Sequence, residues 1–339
     1  MNTKIEMHPF LKYPGGKTKE IPLVINNLPK TVDRFIEPFV GGGSIYFAMN
    51  TRLSFINDKS TDLYNLFFMI KNQDLLLKEY LFIFEGYWKK LSTSRIEDIQ
   101  ICEDFIDRQS LLKFYKSAMQ KKEKTIAKFR ENGTNISRDD LVKIEITARK
   151  TAFYMEVRRI YNLRQNNIQL HIASFYFLRE YCYSSMFRFS SKGDFNVPYG
   201  GMSYNEKYMQ NKINYMFSNE MENYMKHTVI SNEDFEVFMD GLNLTPNDFI
   251  FLDPPYDSDF STYDNNPFDR DEQIRLRDFV AKTKAKWMLI IKKTDFIFDL
   301  YKDFYIYEYD MNYMVSFKNR NDRDVKHLLI TNYELKKEQ

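Results

Sequence analysis

The stretch "FIFLDPPYDSDF", Phe249 to Phe260, sets an acid, two prolines and a tyrosine directly after an apolar run. Phe249 to Leu252 read as a buried strand, which puts Asp253 at its carboxyl end. Pro254 and Pro255 lack the N–H that a sheet needs, so the chain must leave the sheet there in a stiff, extended form. Tyr256 is thereby held beside Asp253. A fixed carboxylate acceptor next to an aromatic face is a grip for something flat and polar. Taken alone the tetrapeptide also suits a rigid turn; its place after an apolar strand, downstream of a glycine turn and a second strand-ending acid, favours chemistry.

That glycine turn lies in "EPFVGGGS", Glu37 to Ser44. A strand ends, three glycines turn the chain and a helix begins, which permits positive φ and close approach of a ligand to backbone. Asp58 ends the next strand. A glycine turn under a ligand and an acid for ribose hydroxyls is the logic of nucleoside binding in doubly wound sheets. The pattern is not G-x-G-x-x-G, and a tight turn with a helix-capping Asp is the plain alternative. "KYPGGKT", Lys12 to Thr18, ends like a phosphate-binding loop, but the glycine needed five residues before Gly16 is Leu11, so an NTPase is disfavoured. Lys17 reaching a small ligand's carboxylate is another reading.

An exocyclic adenine amine is a poor nucleophile because its lone pair is delocalised into the ring. Asp253 accepting its N–H, with the Pro254 carbonyl nearby, could localise that pair for attack on an electrophilic methyl, while Tyr256 stacks on the purine. A base inside a duplex cannot reach such a pocket and must be flipped out.

These residues require elements to position them. The chain has 339 residues, 43% of them hydrophobic and 17% aromatic, enough for one large or two modest domains. "RFIEPF", "LSFIND", "WMLIIK" and "VKHLLITNY" read as strands, and "STDLYNLFFMIK" and Asp271 to Lys282 as helices. Alternating α and β resumes near Val229. Between them, Asp104 to Arg130 has helical spacing, and Phe187 to Gly201 reads as a hairpin with its loop at Ser190 to Gly193. Between Lys113 and Arg164 stand fourteen Lys and Arg against six Asp and Glu; that segment is +8 in a chain of net charge +2. Such segregation suits local phosphate contacts. Cys102 and Cys182 make no disulfide framework and the four histidines no metal pattern. No membrane span or signal peptide is read, so a cytoplasmic protein without a catalytic metal is expected.

In order and content, "FLKYPGGK", "EPFVGGGS", "INDKSTDLYNL", "FRFSSKGDFNVPYG", "FLDPPYDSDFSTYDNNPF" and "VKHLLITNY" resemble the Dam-type, D12 class, DNA adenine-N6 methyltransferases. The likeness covers most of the chain, with divergence from about Lys71 to Tyr181. It implies an α/β fold, a Rossmann-like doubly wound seven-stranded sheet with an inserted helical DNA-recognition domain and β-hairpin. It implies a catalytic domain at 1–70 and 205–339, and recognition at 71–204. S-adenosyl-L-methionine is the implied cofactor, contacted by Tyr13, Lys17, Glu37, Pro38, Phe39, Gly41, Gly43, Ser44, Asp58 and Asp253. The family usually has Trp where Tyr13 stands. Asp253, Pro254, Pro255 and Tyr256 would hold the target adenine.

The resemblance extends to double-stranded DNA as partner. Tyr183 matches an inserting aromatic, Lys12, Arg188 and Pro198 match base-reading positions of GATC-specific members, and Met186 stands where an aliphatic is common. Ser184 replaces a frequent Asn, and Asn196 lies in the same hairpin. "MLIIKKTDF" departs from the usual Ser-Asn, and Lys326 takes a place often acidic. A cognate restriction endonuclease is compatible with this reading. The rival functions are a methyltransferase acting on RNA or single strands, and a non-catalytic DNA-binding protein of the same fold.

Overall fold

A computed structural model describes residues 7–13, 15–49, 51–164, 166–256, 268–312 and 324–335. The first elements are α1 (Ile21–Asn26), β1 (Arg34–Glu37), α2 (Ser44–Ala48), β2 (Ser54–Asn57) and α3 (Thr61–Lys71). The helices α4 (Leu75–Thr93), α5 (Arg108–Glu131), α6 (Arg138–Asn162), α7 (Ile168–Tyr181), α8 (Gln210–Met216) and α9 (Asn219–Met225) follow. The chain then runs through β3 (Thr228–Ser231), α10 (Phe235–Asp240), β4 (Asp248–Leu252), α11 (Arg270–Lys282), β5 (Lys286–Lys292), α12 (Asp295–Tyr301), β6 (Tyr305–Asn312) and β7 (Asp324–Thr331). No helix among the described residues is long and apolar enough to cross a membrane.

Within these residues the chain divides into two compact units. One comprises the chain up to Pro9, Gly15–Phe68 and everything from Asn223; the other comprises Phe10–Pro14 and Met69–Glu222. The first holds a seven-stranded sheet of order β3-β2-β1-β4-β5-β7-β6, parallel except where β7 pairs antiparallel with β5 and β6. The expected α/β fold with a mostly parallel sheet is borne out. Strands alternate their side chains between faces. Ile36, Ile250, Leu252, Trp287, Leu289 and Ile330 share a core with Phe238, Leu276 and Ile297 of the helices α10, α11 and α12. The alternate residues Phe35, Phe249, Phe251 and Ile290 are also buried, so both faces are covered. From β1 the strands step outward one way through β2 and β3, and from β4 the other way through β5. The switch between β1 and β4 is where such sheets place their ligands, beyond the strands' carboxyl ends.

The second unit is helical, and its core is aromatic: Phe84, Trp88, Phe153, Phe177 and Tyr181 pack tilted or edge to face. Side-chain caps start its helices. Asp74, Asp107, Ser137 and Asn167 each accept a backbone N–H at the N-cap. The helix expected from Asp104 therefore begins at Arg108. Residues 205–222, expected with the first segment, belong to this unit. Lys207 O accepts from Trp88 Nε1 at 2.9 Å, Met209 N–H donates to Glu85 at 2.9 Å, and Lys212 pairs with Glu180 at 2.7 Å.

The expected hairpin is reduced to isolated antiparallel bridges, Cys182 with Tyr199 and Phe189 with Phe195. Its turn falls at the expected place: Gly193 N–H donates to Ser190 O at 2.8 Å, with Gly193 at φ +80°. Regular ladder ends there because Pro198 brings no N–H and a 3-10 turn occupies Tyr183–Ser185. Cys182 is fully buried and donates its thiol to Met186 O at 3.0 Å, while Cys102 is half-buried.

Lys150 of α6 is completely buried, with Nζ 4.6 Å from the Trp88 ring and 5.2 Å from the Tyr208 ring, and it donates to Asn205 O. Burial lowers its pKa from 10.5 to about 8, against the pull of Glu206 and Glu85. Between those values only the unfolded chain keeps this proton, so the Lys150 contribution to stability rises with pH there and is smallest below pH 8. The slope it adds approaches about 1.4 kcal/mol per pH unit. Denaturant unfolding across that window should show the wild type gaining stability relative to Lys150→Met as pH rises; parallel curves would exclude a depressed Lys150.

Candidate active site

Asp253 follows β4 directly and Glu37 ends β1, so the two acids stand at the carboxyl ends of neighbouring parallel strands, at the switch of the sheet. Both oxygens of Asp253 lie 2.6 Å from Lys17 Nζ, and the same ammonium donates to Gly15 O at 2.9 Å. The lysine side chain is 3% exposed and the aspartate 21%. Burial pushes the Asp253 carboxyl up from its ordinary value, and the lysine charge and hydrogen bond oppose it. Glu37 is buried, and its Oε2 has no hydrogen-bond partner among the described residues. Burial, then the charge of Asp253, pushes Glu37 well above the usual carboxylate range. Lys17, expected at a ligand's carboxylate, thus has its ammonium on Asp253.

The glycine turn is organised from β2. Asp58 Oδ2 accepts from Gly41 N–H at 2.9 Å, and its Oδ1 accepts from Ser60 N–H at 2.8 Å. Asn57 Nδ2 donates to Pro38 O at 3.0 Å. Gly43 has φ +74°, and a Cβ there would stand 3.1 Å from the Phe47 ring, so only glycine fits without displacing that ring. Ser44, buried, opens α2 with its hydroxyl 3.5 Å from that of Thr18. Phe39 packs edge-on against Phe268, with ring centroids 5.5 Å apart.

After Asp253 the backbone is tied down at Pro255, whose carbonyl accepts from Gln273 Nε2 of α11 at 3.0 Å. The Tyr256 ring lies 5.3 Å from Lys17 Nζ and 5.8 Å, edge to face, from His327 of β7. His327 is fully buried beside Tyr309, its partner in register on β6. Residues 257–267, the remainder of the longest sequence motif, lie outside the described residues. Two departures from the usual family pattern find a physical account here. Lys293, in the stretch that departs from the usual Ser-Asn form, and Lys326 both bind the Glu308 carboxylate, the latter at 2.5 Å.

The remaining expected site residues belong to the second unit. Tyr183, Ser184, Arg188 and Pro198 are exposed, and Met186 and Asn196 are half-buried. Arg188 Nε donates to Asn196 Oδ1 at 3.1 Å, and Tyr183 N–H donates to Pro198 O at 2.9 Å, so the two sides of the hairpin hold each other. Ser184 and Ser185 both have φ 53°, left-handed backbone that costs a non-glycine residue energy. Lys12 is exposed, and Tyr13 lies against Arg179, whose guanidinium is 4.5 Å from its ring and 3.7 Å from that of Phe187. Arg179, His327 and the Lys17–Asp253 pair were not foreseen. The first two sit inside apolar or aromatic runs that read as core, and the pair joins positions 236 residues apart.

The pair predicts an energetic coupling. A double-mutant cycle of Lys17→Met and Asp253→Asn, read by denaturant unfolding near pH 7, should give an interaction above about 1 kcal/mol, because either single change strands a desolvated partner. Additive single effects would show the contact to be energetically idle.

Among the described residues no group of three or more His, Cys, Asp and Glu could hold a metal ion. The family described as D12 class N6 adenine-specific DNA methyltransferase matches residues 13–315. The chain is 29% identical over 332 residues to type II methyltransferase M.CviBI of Paramecium bursaria Chlorella virus NC1A, covering 96% of this chain and all of that one. It is 30% identical over 348 aligned positions to type II methyltransferase M.MjaIII of Methanocaldococcus jannaschii, covering 97% of this chain and all of that one. A DNA adenine methylase of Vibrio cholerae is 22% identical over 280 residues, 81% of this chain and 76% of its own. The resemblance read from the sequence motifs is borne out: the chain belongs to the D12 class of N6 adenine-specific DNA methyltransferases, enzymes that methylate adenine in DNA.

Proposed function

We propose that this methyltransferase acts on the N6 amine of an adenine flipped out of duplex DNA, within GATC, and takes the methyl group from S-adenosyl-L-methionine. The observation that carries the reading is Asp253, held by Lys17 at the carboxyl end of β4 beside the buried Glu37. Burial pushes the Asp253 carboxyl up and Lys17 opposes that push, favouring the carboxylate as an acceptor for the amine N–H. The two prolines fix the backbone that follows, and Tyr256 offers its face to the base. Fixed acceptors of this kind contribute most where they act only in the transition state.

The residues present fit the methyl donor. It is a nucleoside with cationic groups, and when bound it supplies the electrophilic methyl. The unpartnered Oε2 of Glu37 is a buried acceptor, and Asp58 would meet the ribose hydroxyls beside a turn whose Gly43 leaves no room for a side chain. Pro38, Phe39, Gly41 and Ser44 would border the donor. We assign donor binding and catalysis to the sheet unit and target recognition to the helical unit. There Tyr183, with Ser184 and Met186, would enter the stack, and Lys12, Arg188, Asn196 and Pro198 would meet base edges. The type II names of two relatives favour a cognate restriction endonuclease as partner, and the free thiols suit the cytoplasm.

The test is a methylation assay on duplexes with each base around the adenine varied, alongside single strands and RNA. Asp253→Ala should lower turnover by roughly 10²–10³. Arg188→Ala should relax one base position by roughly tenfold, since a bidentate guanine contact discriminates by about 1–3 kcal/mol. Preference for an unrelated site would reject GATC, and equal loss on every duplex would make Arg188 a phosphate contact.

A further inference from the structure

The helices α5 and α6 form an antiparallel pair joined at residues 132–137. From Met119 to Ile146 none of its residues is buried, so its distal half is an arm that adds nothing to the core. Lys113, Lys116, Lys121, Lys124, Lys128 and Arg130 of α5 are all exposed, and none is ion-paired among the described residues. At 100° per residue the five lysines fall within an arc of about 140°, and Arg130 widens it to about 180°. Leu111, Tyr115, Ala118 and Ile126 occupy the opposite side of α5, where Leu111 and Ala118 are buried. The basic residues therefore make one continuous stripe, roughly 26 Å long at 1.5 Å per residue.

The other end of the arm holds the hairpin. Tyr154 OH donates to Val197 O at 2.9 Å, Arg158 donates to Asn196 O at 3.3 Å, and Asn162 exchanges two bonds with Phe195 at 3.0 and 2.9 Å. From Arg158 to Arg138 is roughly 30 Å along α6, the length of about nine base pairs. Five of the six charges are Lys, a hydrated point charge suited to phosphate and not to bidentate base reading. A folded protein partner would want apolar anchors, and those of α5 lie on its other side.

We propose that the α5 stripe lies along the phosphates of the duplex flanking the methylation site, on one side of it, as a sequence-independent contact. The proposal rests on the reading of the hairpin as the DNA-contacting element. Each phosphate neutralised adds about 0.9 to the slope of log affinity against log salt.

The experiment measures binding of fluorescent, GATC-free duplexes of 12 and 36 base pairs between 50 and 200 mM salt. It compares the wild type with Lys116→Gln/Lys121→Gln/Lys124→Gln/Lys128→Gln. A control, Lys226→Gln/Lys282→Gln/Lys284→Gln/Lys302→Gln, loses four charges from the sheet unit. The stripe variant should lower the salt slope on the long duplex by up to about 3.6 and lose most of the advantage of the long duplex over the short one. The control should keep both. An unchanged slope in the stripe variant overturns the proposal, even if the stripe captures an acidic protein, and so does an equal change in the control. Absence of duplex binding by the wild type would instead count against the duplex-DNA reading itself.

Discussion

A carboxylate that leaves water beside a single lysine constrains this fold most. Asp253 sits where the sheet changes direction, and burial there pushes its carboxyl up. Lys17 opposes that push, because the N-terminal segment returns to the end of β4. The requirement reaches outward. Gly15 supplies a carbonyl to the same ammonium, and Glu37, one strand away, is pushed up by its burial and then by the charge of Asp253. The N-terminal segment and the ends of the middle strands thus share one electrostatic problem.

The glycine turn is solved by geometry more than charge. Asp58 accepts the Gly41 N–H, so the acid ending β2 shapes the loop ending β1. The same acid also accepts the Ser60 N–H two residues on, so one side chain ties the loop ending β1 to the start of the chain leaving β2.

Much of this was legible in the sequence, for local reasons. Phe249 to Leu252 announced a buried strand, and two prolines announced its end. Asp58 and the three glycines stood at the spacing of a βαβ unit. Legibility failed where a contact joined distant positions. Nothing near Lys17 points to Asp253. His327 lies in a run that reads as plain strand, and Arg179 hides its guanidinium between the Tyr13 and Phe187 rings. The end of the helical unit was misjudged because residues 205–222 look like the start of renewed α/β chain. Trp88 donates to the Lys207 carbonyl and Glu85 accepts the Met209 N–H, which ties them elsewhere. The hairpin was recognised, but propensity says little about the ladder lost at Pro198 or the left-handed pair Ser184 and Ser185.

The two cysteines differ in a way that matters at the bench. Cys182 is sealed in the core, and burial pushes its thiol up to about 12, so at neutral pH it offers almost no thiolate. Cys102 is partly open, in the loop that leads into α5. A maleimide dye added to the native protein would therefore mark Cys102 alone. The wild-type chain carries a natural attachment point at the root of the arm, ready to report by fluorescence when anything settles along it.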